Sequence, residues 1–218
     1  MRAAAIAFVA MMVIACVAPA RAQDTAARPA YLSWSAAEAE RIGKSTRVDG
    51  RVGGAFDLRV VHTERSYNYK LRATWLTKDV IQATARLQQL SERLTDSQTE
   101  ELVQEATAAG EVVFMVEVDP REGSGVIPND WSAFLGPFGT DMSVARGANT
   151  PALEKVKALR GVYRRDYDYD QFWVVFPLKT TEGAPLFPGG VAQATLTVRI
   201  SGKEGRVSFP IPAYLRAK

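Results

Sequence analysis

The stretch "EVVFMVEVDP", residues 111–120, limits the fold more than any other part of the chain. Val112, Val113, Phe114, Met115 and Val116 are consecutive β-favouring apolar residues. Side chains alternate between the two faces of a strand, so a run without polar alternation needs apolar cover on both sides. The sequence therefore predicts a central strand inside a layered protein.

The segment just before it supplies one layer. Val80, Thr84, Leu87, Leu90 (or Ser91) and Leu94 recur at helical spacing behind Thr77, whose hydroxyl can cap the first turn. "TDSQ", residues 95–98, has the capping-box pattern and opens a second helix with Asp96, Glu100 and Glu101 near its positive end. Leu102, Val103 and Ala106 face inward, and Gly110 stops it. The two form an αα-hairpin. Further upstream, Ser33 or Ser35 caps a short helix reaching Gly43, anchored by Trp34.

Elsewhere the period is two. Phe56, Leu58, Val60 and His62 share one parity, and Tyr67, Tyr69, Leu71, Ala73 and Trp75 alternate with polar residues, predicting two strands. "QFWVVFPL" is a further buried strand. "AQATLTVRI" and "RVSFPIP" around "SGKEG" read as a closing hairpin with Ala192, Ala194, Leu196, Val198 and Ile200 on one face. "ALEKVKALRGVYRR" fits a helix or a strand, and a strand is expected over its second half. Between residues 119 and 151 Gly and Pro recur so often that no regular element is expected to run far. Loops of that length often carry function.

About seven short strands with one helical interruption point to a mainly β (α+β) chain, an immunoglobulin-like antiparallel β-sandwich with a helical-hairpin insertion. The alternative is an α+β open sheet with helices on one face. The expected organisation is a signal peptide over 1–22, a tail and short helix over 23–48, and a single β-rich domain over 49–218 with the αα-hairpin at about 77–110.

Met1-Arg2, the apolar "AAAIAFVAMMVIACVA" and the small-residue exit "PARAQ" have the order of an export signal. The apolar run falls short of the ~20 residues of a bilayer span, and no later segment replaces it. Ala20 and Ala22 suit ordinary cleavage before Gln23, while "VIAC" offers Cys16 as an alternative lipidation site. The protein is expected in the periplasm or outside the cell, or, on the alternative, anchored through Cys16.

Cys16 is the only cysteine, so a chain cut after Ala22 has no thiol chemistry and no disulfide. Removal of Arg2 and Arg21 takes Lys plus Arg from 27 to 25 against 24 Asp plus Glu, reducing a net charge of +3 to +1. That balance gives no broad electrostatic reason to seek nucleic acid or an anionic membrane. His62 is the only histidine, which leaves little room for a triad or an imidazole-based metal site.

Two stretches remain as candidate sites. In "RRDYDYDQ" an extended backbone places Asp166, Asp168 and Asp170 on one face and Tyr167 and Tyr169 on the other. The aligned carboxylates need Arg164, Arg165 or a cation among them. The calcium-loop pattern fails, because Gln171 stands where glycine is required and Pro177 where the bidentate glutamate belongs. The plainer reading is a polar turn whose tyrosines cover a sheet edge. Trp131, Phe134 and Phe138 are loop aromatics, which either fold back as a lid or form a recognition surface.

The binding residues expected are thus Trp131, Phe134, Tyr167, Asp168, Tyr169 and Asp170, with no cofactor and no metal. The function expected is an exported, non-catalytic binding or structural domain of the cell envelope, meeting an envelope protein or carbohydrate. The alternative is a carboxylate-dependent hydrolase of envelope carbohydrate or peptide, which needs two carboxylates across one cleft.

Overall fold

In the computed structural model of this protein, the described residues are 28–53, 69–119, 127, 129–137, 144–162 and 169–216. Its strands, in chain order, are β1 (Arg47–Val52), β2 (Tyr69–Trp75), β3 (Val112–Asp119), β4 (Ser132–Pro137), β5 (Ala145–Arg146), β6 (Ala148–Asn149), β7 (Asp170–Phe176), β8 (Gln193–Ile200) and β9 (Lys203–Pro210). Its α-helices are α1 (Ala36–Lys44), α2 (Lys78–Glu92) and α3 (Asp96–Ala108). The strands make two antiparallel sheets, one ordered β1-β2-β3-β7-β6 and the other β5-β4-β8-β9.

The apolar run is the third strand of the first sheet, covered on both faces as its sequence requires. Val112, Phe114, Val116 and Val118 join the core between the sheets, with Leu71, Trp75, Leu196 and Phe209. Val113 and Met115 point the other way, into a second core with Val80, Ile81, Ala106 and Trp173. The chain is therefore an α+β protein of three layers. It combines features of both expected architectures, because the first sheet is packed against a second sheet on one face and against helices on the other.

Aromatic rings fill the middle of the inter-sheet core. The Trp75 ring lies 4.9 Å from Phe114 and 6.2 Å from Phe209, and Phe114 lies 5.1 Å from Phe209. Burying such a side chain contributes about 1.5–3 kcal/mol.

The helix starts follow their caps. Ser35 accepts from the Glu38 amide, Thr77 from the Val80 amide, and Thr95 and Gln98 close the capping box in both directions. The buried stripe of α2 is rotated from the expected one: Val80, Ile81, Thr84, Ala85 and Gln89 are buried, whereas Leu90 is exposed. The reason is that α2 packs on α1 and α3 as well as over the sheet, and Gln89 is held by side-chain bonds to Arg86 and Asp96.

The two sheets meet along both sides. On one side the chain passes from β5 in the second sheet to β6 in the first through Gly147, whose amide donates to Ala133 O at 2.9 Å. A Cβ there would lie 2.3 Å from Val174 Cγ1, so the crossing needs glycine. On the other side β1 abuts β9, where the Gly53 amide donates to Glu204 O at 3.1 Å. The β8–β9 hairpin turns through Ser201 and Gly202, both at positive φ, as a two-residue turn demands.

Three local expectations change. The glycine-rich stretch from 119 to 151 contains β4, β5 and β6. The strand expected from Ala158 is instead a 3-10 turn over Lys157–Leu159, whose Ala158 and Leu159 are buried against the helices. β1, rich in charge and without a continuous apolar face, was not anticipated. The strand expected at Phe56 to His62 lies outside the described residues.

Candidate functional site

Trp131 precedes β4, and strand alternation sends it and its neighbours to different faces. Ala133 and Leu135 enter the inter-sheet core, and Trp131, of the same parity, packs partly against it. Its ring lies 4.6 Å from that of Phe172, which makes Phe172 its backing. Ser132 and Phe134 face outward from the second sheet. Trp131 thus folds back onto the core, while Phe134 stands on the open face.

A cleft of ≈ 190 Å³ opens beside Trp131, lined by Asn129, Trp131, Ser132, Arg146, Asn149 and Val174. It lies where the chain crosses between sheets, so both sheets and the turn at Asn129 contribute to it. Its polar groups are amides, a hydroxyl and a guanidinium, and no carboxylate is among these described lining residues.

Arg146 also belongs to the neighbouring face. It stands opposite Phe134 in the β4–β5 register, Phe134 stands opposite Thr197 on β8, and Thr197 opposite Arg206 on β9. Ser132, Arg199 and Glu204 form the adjacent row. The Arg199 guanidinium carbon lies 4.9 Å from the Phe134 ring centroid. Arg199 Nε donates to Glu204 Oε2 at 2.8 Å, and Arg206 Nε donates to the other oxygen. The Arg199 bond is the main reason the Glu204 carboxyl is held below its ordinary value; burial opposes it, and the Arg206 bond adds to the lowering.

Of the residues singled out in "RRDYDYDQ", the described Tyr169 and Asp170 lie on opposite faces of the first sheet. Asp166, Tyr167 and Asp168 lie outside the described residues, as does Cys16. Asp170 is exposed at the start of β7, on the same strand face as Phe172, which brings it to the Trp131 end of the molecule. Tyr169 lies on the opposite face, buried, with the Arg72 guanidinium carbon 4.5 Å from its ring centroid. Burial raises its phenol pKa, opposed by Arg72 and assisted by Asp119, Asp49 and Glu117. Tyr169 therefore does not share a surface with Trp131.

Beside Tyr169 the register sets Asp49, Arg72, Glu117 and Gln171 in one row across β1, β2, β3 and β7. Arg72 Nε donates to Asp49 Oδ1 at 3.1 Å, and Gln171 Nε2 donates to Glu117 Oε1 at 3.2 Å. Glu117 is only 6% exposed, and its Oε2 has no hydrogen-bond partner among the described residues. Arg47 and Arg72 both lie close to Asp49, so the row mixes charges of both signs.

A second cleft, of ≈ 220 Å³, lies between the start of α2 and the C-terminal turn, lined by Leu76, Lys78, Ile81, Glu111, Tyr214 and Leu215. The Lys78 amide donates to the Tyr214 hydroxyl at 3.4 Å across it. Among the described residues no group of three or more His, Cys, Asp or Glu is placed to hold a metal ion, and no helix is long and apolar enough to cross a membrane.

The sequence pointed to Trp131 and Phe134 by their aromaticity. It did not point to Arg146, Asn149, Phe172 or Arg199, because only the register brings them to the aromatics. No protein-family model matches the chain, and neither a curated protein nor a solved structure matches it.

Proposed function

We propose that the chain is an exported, non-catalytic binding domain of the cell envelope, which captures a hydroxyl-rich partner at the Trp131 cleft. The observation that carries this reading is Trp131, backed by Phe172, forming one wall of a cleft whose polar groups come from Asn129, Ser132, Arg146 and Asn149. An aromatic wall supplies contact area, and fixed amides and hydroxyls orient a ligand by hydrogen bonds. Export rests on the "PARAQ" exit after a short apolar run. The lack of a carboxylate among the described lining residues favours binding over hydrolysis, since glycoside hydrolysis ordinarily needs two.

The test uses the chain from Gln23 onward and solubilised envelope glycan strands, with retention on the immobilised protein as the readout. Trp131→Ala and, separately, the exposed Asn149→Ala should each reduce retention while cooperative unfolding persists. Undiminished retention in both variants contradicts the cleft as the binding site.

A further inference from the structure

The Trp131 cleft opens where a strand pairing breaks off. Phe134 stands opposite Arg146 and Leu135 opposite Ala145, and the Gly147 amide donates to Ala133 O at 2.9 Å. Carried further, that register would set Asn149 opposite Trp131. After Gly147, however, the chain leaves β4 and runs along β7, where Ala148 stands opposite Val175 and Asn149 opposite Val174. The Thr150 amide donates to Trp173 O at 2.8 Å. Main-chain groups alternate in direction along an antiparallel ladder, so Ala148 and Thr150 turn theirs toward β7, and Asn149 turns its N–H and C=O away from it. They point to the β4 side, the side to which Gly147 donates. Among the described residues β6 is the end strand of the first sheet, and no strand pairs with that edge. The cleft lined by Trp131 and Asn149 is the gap left between them.

We infer that this gap holds the acetamido group of an N-acetylated sugar, whose ring rests against Trp131. The inference rests on the binding reading above and names its ligand class. Asn149 offers one main-chain donor and one acceptor side by side, and the group that answers both at once is a secondary amide, as in strand pairing. Ala133 and Val174 supply an apolar floor for the acetyl methyl. The Asn129 and Asn149 side chains and the Ser132 hydroxyl are left for the ring hydroxyls. An extended peptide also carries secondary amides, but it fits less well. β6 is only Ala148–Asn149, and the Gly147–Ala133 bond closes the gap at one end, so an added strand finds little edge to pair with. At ≈ 190 Å³ the cleft is also smaller than the ~300–1,000 Å³ of ordinary ligand pockets, which suits a single pendant group. Charge does not select the ligand. Arg146 lines the cleft, Asp130 adjoins Trp131, and Asp170 shares a strand face with the backing Phe172, all three exposed.

The experiment compares the affinity of the chain from Gln23 onward for tetramers of N-acetylglucosamine, of glucosamine and of glucose in the same linkage, and for an end-blocked alanine peptide. The expected result is preference for the acetylated sugar over the other two by about tenfold, as when two hydrogen bonds and a methyl contact are lost together. Asn149→Pro removes the N–H on the open edge and no bond to β7, whereas Asn149→Ala keeps that N–H. Asn149→Pro should therefore weaken binding of the acetylated tetramer more than Asn149→Ala does, while the two variants bind the glucose tetramer alike. The sugar series on the parent chain decides the matter whether or not Asn149→Pro folds. Equal binding of all the sugars overturns the inference and leaves the cleft reading standing. Tighter binding of the glucosamine tetramer overturns it in favour of an ammonium ligand drawn by Asp130 and Asp170. Tighter binding of the peptide overturns it in favour of strand pairing. If no tetramer binds while envelope glycan strands are still retained through Trp131, this inference fails and the cleft reading survives; if neither occurs, both fail.

Discussion

Arg146 stands opposite Phe134 in the antiparallel register of β5 and β4, and the same arginine lines the cleft beside Trp131. The relationship depends on Gly147, which turns the chain from one sheet to the other immediately after Arg146. The crossing fixes both the meeting of the two sheets and the placement of Arg146 beside Trp131 and Phe134.

The inter-sheet core sets the stability of this arrangement. Leu71 and Val116 are almost wholly buried there, on adjacent strands. Leu71→Ala should cost about 2–4 kcal/mol, with Val116→Ala toward the lower end because it removes less volume. Chemical denaturation measures both. Losses below about half a kcal/mol, the range of surface changes, would mean the faces of β2 and β3 are misassigned.

The β1–β9 seam gives a sharper steric expectation. A Cβ on Gly205 would lie 2.2 Å from the Arg51 carbonyl oxygen, and backbone cannot swing aside as a side-chain tip can. Gly205→Ala should therefore destabilise by about 1–3 kcal/mol or more, as overpacking does. At Gly183 a Cβ meets nothing within 4 Å, but its positive φ adds backbone strain to any substitution. Equilibrium unfolding of Gly205→Ala beside the parent protein measures the seam directly, and an unchanged midpoint would show that β1 does not abut β9.

Asp96 links the N-terminal segment to the helical hairpin and makes stability depend on pH. Arg28 Nε donates to it at 2.9 Å and Gln89 Nε2 at 2.8 Å, and the Arg28 bond, then the Gln89 bond, lower its pKa. A carboxyl whose folded pKa is lowered contributes fully above its unfolded value, and that contribution is lost as pH falls through the folded one. Asp96→Asn should flatten the fall in stability below the ordinary aspartate range. Thermal unfolding across acid pH shows it, and an identical slope in parent and variant would remove Asp96 from the linkage.

Much of this fold was legible because local signals agreed with it. Tyr69, Leu71, Ala73 and Trp75 alternate and are all buried, and the Thr77 and Thr95 caps begin the helices they predict. β1 was hidden because one of its inward positions is Gly50, where a Cβ would meet Val207 Cγ1 at 2.6 Å; close sheet packing removed the apolar residue that reveals a strand. β4 was hidden by its own end, Gly136-Pro137, which reads as a turn although both residues are buried in the sheet. The Leu90 position was misjudged because helical period alone does not say that α2 packs against α1 and α3 as well as over the sheet. Trp131 and Phe134 were visible as loop aromatics, but their divergence onto different faces, and the arrival of Arg146, Arg199 and Phe172 beside them, are properties of register.

The most direct test of the binding surface is where a ligand is felt on the molecule. Amide chemical shifts of the isotopically labelled chain from Gln23 onward, titrated with short solubilised envelope glycan fragments, report this residue by residue. The account predicts saturable shifts centred on Asn129, Trp131, Ser132, Arg146 and Asn149, with the row of Asp49, Arg72, Glu117 and Gln171 unmoved. Shifts confined to that row or to the Tyr214 cleft, with the second sheet silent, would contradict it.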